Sequence, residues 1–191
     1  MGDFRRLMVF PIVGLMACGS LSACYMGPDP VQYAALGVIN GKATAVVALC
    51  GRAKADVGVL QNDGDPASTE LRVWDVTVTV PEPAQEVDVE LLGADRPGWE
   101  ITSREDSGAA GVIGVPIRVL RSFEAGHRYR LNSSDGGPEG TDAPTVTFTT
   151  DDLARIGEGK VLAATDYDEQ DVVSRSWFVR EACAKKGPGA T

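Results

Sequence analysis

Residues 71–80 read LRVWDVTVTV, and no other feature of the chain constrains its fold so strongly. Trp74, Val76, Val78 and Val80 fall on one side, headed by Arg72, while Asp75, Thr77 and Thr79 fall on the other. Side chains of an extended chain point alternately to two faces, so this spacing, rich in β-branched residues, predicts a half-buried strand. Pro81 and Pro83 are expected to stop it, because proline has no N–H for a strand ladder. The same alternation returns in Val87, Val89 and Leu91, in Trp99 and Ile101, in His127, Tyr129 and Leu131, and in Val146 and Phe148. Ile113, Val115, Ile117 and Val119 make another face, with Pro116 marking an edge strand or a bulge. Residues 44–50 are almost wholly apolar, as in a central strand covered on both faces, and residues 161–164 and 177–179 read as late strands.

Turn-forming residues separate these runs at 62–66, 93–98, 107–108 and 133–138. One short helix is predicted near residues 151–156. Thr150 would cap it, and Asp151 and Asp152 would sit in its first turn, where negative charge is favoured. Many short strands with turns between them place the chain in the all-β class, as a β-sandwich.

The N-terminus is different in kind. Arg5 and Arg6 precede residues 7–17, LMVFPIVGLMA, an uncharged run of eleven. That length suits an export signal of roughly 7–15 apolar residues rather than a spanning helix of about 20. Leu21-Ser22-Ala23-Cys24 follows, and it resembles the lipobox of bacterial lipoproteins: an aliphatic residue, two small ones, then cysteine. The resemblance covers about the first 24 residues. It implies a diacylglyceryl group on the Cys24 thiol and cleavage before it, so that Cys24 anchors the protein at the extracytoplasmic face of the cell membrane. Each buried CH₂ contributes about 0.8 kcal/mol, so two acyl chains hold a protein on a bilayer where one holds it only marginally. An ordinary signal cut near Ala23, an uncleaved helix, a rival lipobox ending at Cys18 and twin-arginine export at Arg5-Arg6 are the alternatives.

Four cysteines occur, at 18, 24, 50 and 183. Cleavage before Cys24 removes Cys18, and lipid occupies Cys24. Cys50 and Cys183 then remain, an even pair in an oxidising compartment where disulfides persist. A bridge between two strands of facing sheets would suit them. Two buried free thiols are the alternative.

The expected organisation is a signal peptide over residues 1–23, a tether over 24–33 containing Pro28 and Pro30, a sandwich domain over 34–184, and a disordered tail over 185–191. Removal of Arg5, Arg6 and Asp3 takes the net charge from −9 to −10. Such a charge opposes nucleic-acid binding and pushes the domain away from an anionic bilayer. Residues 122–150 resemble part of a fibronectin type III or related immunoglobulin-like domain: Phe123-Glu124-Ala125-Gly126 leads into Tyr129-Arg130-Leu131, and residues 146–150 look like that family's last strand. The resemblance implies an immunoglobulin-like sandwich that binds or spaces, although some 30 structured-looking residues follow Thr150.

Chemistry-bearing motifs are sparse. His127 is the only histidine, and its alternation with Tyr129 and Leu131 makes it a packed or rim residue. One histidine and two paired cysteines do not build a zinc site, no glycine-rich phosphate loop opens a helix, and no cofactor is implied. Asp166, Asp168, Glu169 and Asp171 could offer oxygens to calcium, as could residues 62–65, but a solvated loop and a hairpin turn explain them better. Trp99, after Arg96-Pro97-Gly98, is the tryptophan expected to be exposed and is a candidate ligand contact; Trp74 and Trp177 are expected in the core. Two functions follow as expectations. One is a non-enzymatic surface lipoprotein that binds a protein partner of the envelope. The other is a small carboxylate-based enzyme or ligand carrier on the same sandwich.

Overall fold

The computed structural model describes residues 33–61, 63, 70–103, 116–134, 145–165 and 169–185. The elements run β1 (Ala34–Ile39), β2 (Lys42–Gln61), β3 (Leu71–Glu90), β4 (Trp99–Ile101), β5 (Ile117–Val119), β6 (Tyr129–Ser134), β7 (Val146–Phe148), α1 (Thr150–Arg155), β8 (Lys160–Ala164), β9 (Gln170–Ser174) and α2 (Arg175–Lys185). The body is mostly strand, as expected of the all-β class, in a sheet antiparallel but for one pairing, with two helices.

Two strands of 20 residues each, β2 and β3, form the spine. Their antiparallel ladder has two stretches, Thr44↔Glu90 to Ala48↔Glu86 and Lys54↔Thr79 to Leu60↔Val73, with register shifts between them. At the shift Cys50 and Gly51 take left-handed backbone, φ 52° and 83°. Pro81 and Pro83 lie opposite this irregularity, where no ladder hydrogen bond is asked of them. They therefore do not end the strand, and residues 87–90 continue it, which corrects the sequence expectation. The irregularity divides the spine into a first arm, residues 42–49 with 84–90, and a second arm, residues 54–61 with 73–79.

The first arm extends through β1, β8 and β9. β1 and β2 are joined by Asn40-Gly41, both at positive φ (53° and 75°), the backbone of a two-residue hairpin turn. The second arm extends through β6 and β7 beside β2, and through β4 and parallel β5 beside β3. Inward residues of both arms share one hydrophobic cluster, with Leu36, Val47, Leu49 and Val89 from the first and Val57, Val76, Leu131 and Phe148 from the second.

The first arm has a second cover. Ala35, Val46, Ala48, Val161 and Ala163 point away from the shared core and pack on Phe178 and Ala182 of α2. Residues 44–49 are thus buried on both faces, as their apolar run predicted. Residues 177–179, expected as a strand, lie in α2. Three adjacent apolar residues do not distinguish helix from strand; the i, i+4 spacing of Phe178 and Ala182 does, and Ser174 Oγ accepts the Trp177 N–H (3.2 Å) at the helix start. Burying Phe178 contributes on the order of 1.5–3 kcal/mol. Arg175 adds ion pairs to Glu86 (3.1 Å) and Asp88 (2.8 Å).

The helix expected near 151–156 is α1, one residue earlier. Thr149 rather than Thr150 caps it, giving its N–H and its hydroxyl to the Asp152 carboxylate, both at 2.9 Å. Tyr33, the last residue of the expected tether, is already docked. Its carbonyl accepts the Ala48 N–H (2.7 Å), and the Arg52 guanidinium lies 4.2 Å over its ring.

Candidate functional site

Parallel pairing of β3 and β5 sets Arg72 beside Arg118. Like charges at neighbouring sheet positions repel, and Glu70 answers them. Its Oε1 accepts Arg72 Nε at 2.7 Å, and its Oε2 lies 3.9 Å from Arg118 Nε. Glu124 continues the row, 3.8 Å from Arg72 Nη1 and 3.6 Å from His127 Nε2. His127 Nδ1 meets Asp63 Oδ2 at 2.9 Å, and Gln61 Nε2 donates to the same oxygen at 2.7 Å. Opposite charges therefore alternate through Arg118, Glu70, Arg72 and Glu124 along one pole of the second arm, and His127 and Asp63 continue the row of polar contacts. Arg72, Arg118, Arg121, Glu70 and Glu124 line an open recess of about 340 Å³ with Leu120 at its apolar side.

The recess is built on a fixed turn. The Tyr129 hydroxyl accepts the Glu124 N–H at 2.7 Å and donates to the Glu124 carbonyl at 3.3 Å. Phe123 packs edge-on against the Tyr129 and Phe148 rings, with centroids 4.8 and 5.4 Å away. Burial pushes the Tyr129 hydroxyl's pKa up, so it stays protonated and keeps donating. Burial raises the Asp63 pKa too, but hydrogen bonds from Gln61, the Arg128 N–H and His127 outweigh it and hold the carboxyl at about 2. The hydrogen bond from Arg72 to Glu70 raises the pKa of the guanidinium.

A different chemistry occupies the outward face of the second arm. Gly58 sits there between Asp75 on β3 and Asn132 on β6. A Cβ at Gly58 would collide with Asn132 Oδ1 and Asp75 Oδ1, so the missing side chain lets both lie over the β2 backbone. Burial, and then the neighbouring charge of Asp56, raise the Asp75 pKa. Thr77 donates its hydroxyl to Asp56.

Cys50 and Cys183 form a disulfide, with Cα atoms 5.2 Å apart. It joins β2 to α2, not two strands of facing sheets as the sequence suggested. Trp99 lies on β4, packed partly into the shared core, and its ring is covered by the Arg96 guanidinium at 3.6 Å. That cation–π contact covers one face of the ring. Glu169 and Asp171 are exposed, whereas Asp166, Asp168 and Cys24 lie outside the described residues, as do residues 62, 64 and 65 of the other calcium candidate. Among the described residues no three His, Cys, Asp or Glu side chains are placed to hold a metal ion. Trp74 is buried and Trp177 partly so. His127 stands at the rim, its side chain 36% exposed.

Sequence reasoning did not single out the recess. Arg72 and Arg118 are 46 residues apart, and nothing in the spacing of charges announces that β5 will lie parallel to β3. Comparison with protein-family models, with curated proteins and with solved structures finds no match.

Proposed function

We propose that the chain is exported, cleaved before Cys24 and held by a diacylglyceryl group on that residue at the extracytoplasmic face of the cell membrane, where its body serves as a non-enzymatic binding module. The observation that carries this reading is the Cys50–Cys183 disulfide. A bridge of this kind persists in oxidising compartments and is rare in the cytosol. Tyr33, nine residues beyond Cys24, already docks on β2. The segment between them reaches at most about 30 Å when extended, so a lipid on Cys24 would keep the body close to the bilayer. No described helix is long and apolar enough to cross a membrane.

The body fits an immunoglobulin-like sandwich in two respects: both arms face one core, and the Tyr129 hydroxyl is tied back to the Glu124 backbone at the start of its strand, in the manner of a tyrosine corner. The binding role rests on the open recess of charged side chains, whose partner would be an envelope protein.

A carboxylate-based enzyme or ligand carrier is the second reading, favoured by Asp75, whose raised pKa lies beside the charge of Asp56. Hydrolysis or ligand uptake lost in Asp75→Asn but kept in Arg72→Gln would favour it. Cell fractionation tests the first reading. The native chain should partition with membranes and a Cys24→Ala variant with the soluble extract; a variant that partitions as the native chain does would refute lipid anchoring at Cys24.

A further inference from the structure

We infer that β9 is a self-pairing edge, on which a second copy of this chain adds its own β9 antiparallel, in a two-fold register centred on Val172. Such pairing is an assembly state beyond the binding role proposed above, and it needs no lipid on Cys24.

β9 is the last strand of the first arm and is bonded to β8 on one side. The N–H groups of Thr165 and Arg175 reach the carbonyls of Glu169 and Gly159, at 2.8 and 3.0 Å, in the same register as the ladder. In an antiparallel pair every second residue bonds to the neighbouring strand, so Asp171 and Val173 bond to β8 as well. The N–H and C=O groups of Gln170 and Val172 and the N–H of Ser174 therefore point to the open side. Among the described residues no strand pairs with them.

Other margins of the sheet are closed in ways this one is not. β7 turns the backbone of Thr147 outward, and the Gln170 side chain occupies it, accepting its N–H at 3.0 Å and donating to its carbonyl at 2.7 Å. On the opposite margin of the first arm β3 carries Glu86, Asp88 and Glu90, charges that discourage a further strand. β9 has no proline, no lysine and no register shift, and four of its five residues are exposed. Val172, 37% exposed, is the one large apolar side chain left in the open among the described residues. An edge of this kind is a template for strand addition.

The sequence of β9 selects the occupant. Only outward-bonding residues of two edges can bond to each other, so few antiparallel registers exist. With the axis at Val172, Val172 meets Val172 of the second copy, and each Ser174 N–H meets a Gln170 carbonyl. Asp171 then falls opposite Val173 and Glu169 opposite Arg175, and no like charges face each other. An axis at Asp171 would set Asp171 against Asp171, and one at Gln170 would set Asp171 against Glu169. Like charges directly opposite are destabilising. An axis at Val173 runs each strand into the start of the other copy's α2. The strand is thus complementary to itself in one register, the condition for an isologous two-fold contact. Two five-residue strands alone fall short of the roughly 1,200–2,000 Å² buried in stable complexes, so the dimer should be weak and reversible.

Cysteine cross-linking of the full chain tests the register. Residues directly opposite in a hydrogen-bonded antiparallel pair have Cα atoms about 5.5 Å apart, within disulfide reach. Val172→Cys should give a dimer on mild oxidation, joined 172 to 172 by peptide mapping. Asp171→Cys, two residues out of register with its own copy, should give about tenfold less. Val172→Pro removes only an outward N–H, so the bonds to β8 remain and the Tm should stay within a few degrees. It should still weaken the concentration-dependent dimer seen in sedimentation velocity by about tenfold or more, because a hydrogen bond is lost on each side of the axis. A chain that stays monomeric at every concentration and gives no 172–172 product would overturn the proposal. So would equal yields at 171 and 172, or Val172→Cys joined to a different protein when oxidation is done in cells.

Discussion

The two arms of the β2–β3 spine are built from the same pair of strands and face the same core, yet they treat their outer faces differently. On the first arm the outward residues are Ala35, Val46, Ala48, Val161 and Ala163, and α2 covers them. On the second the outward residues are Asp56, Gly58, Asp75, Thr77 and Asn132, and among the described residues no helix covers them. The difference shows what a covering layer requires. Small and β-branched apolar residues leave a flat surface that a short helix can bury, and a disulfide and Arg175 hold that helix down. A face carrying carboxylates and an amide would lose their hydration beneath a helix, at a cost of several kcal/mol per unpaired charge. Among the described residues the second arm therefore keeps its outer face free of a helix, and the recess of charged side chains is at its pole.

The strongest test of this contrast is to loosen the cover on one arm only. Cys183→Ser should destabilise the protein by about 2–4 kcal/mol in denaturant titration. In hydrogen exchange α2 and residues 44–49 should lose protection first, with residues 55–60 following only at global unfolding. Simultaneous loss in both arms would mean that the arms are one cooperative unit and that the distinction is only geometric.

Paired glycine substitutions sharpen it at smaller scale. Gly58→Ala pushes a methyl group into Asp75 and Asn132, and overpacking of that kind should cost about 1–3 kcal/mol. Gly37→Ala, on β1 of the first arm, places its Cβ 3.4 Å from Val46 and 3.6 Å from Val161, in ordinary contact. It should be neutral or stabilising by up to about 1 kcal/mol, because it lowers the entropy of the unfolded chain. Thermal melts of the two variants side by side would show opposite signs.

The smallest expected effect is electrostatic. Asp75 has a folded-state pKa raised by burial and by Asp56. The folded state thus holds this proton more tightly than the unfolded chain, and stability falls as pH rises from the unfolded carboxylate value through the raised one. Asp75→Asn should raise the Tm at pH 7 and leave it nearly unchanged at pH 3. An equal effect at both pH values would assign the change to packing.

Much of the core was legible because alternation is a local signal. Trp74, Val76 and Val78, the apolar run at 44–49, and Val146 with Phe148 all lie buried as their spacing predicts. The cysteine pairing was legible from parity once Cys18 and Cys24 were set aside. Three features were misread for physical reasons. Pro81 and Pro83 block a ladder only where a hydrogen bond is required of them, and the register shift that frees them is a property of two strands together. Residues 177–179 are too short a run to distinguish helix from strand, although Phe178 and Ala182 carried the helical spacing. The Asn40-Gly41 hairpin had a strong local signal, a type of dipeptide that favours positive φ, and was passed over. The recess had no such signal, since a parallel contact between β3 and a three-residue strand brings its arginines together.

Everything proposed for the protein's role begins with a lipid on one thiol. Intact and peptide mass spectrometry of the chain isolated from membranes tests it directly. The proposal predicts an N-terminal peptide that starts at Cys24 and carries the mass of a diacylglyceryl group. A mature chain that starts elsewhere, or that starts at an unmodified Cys24, would contradict it.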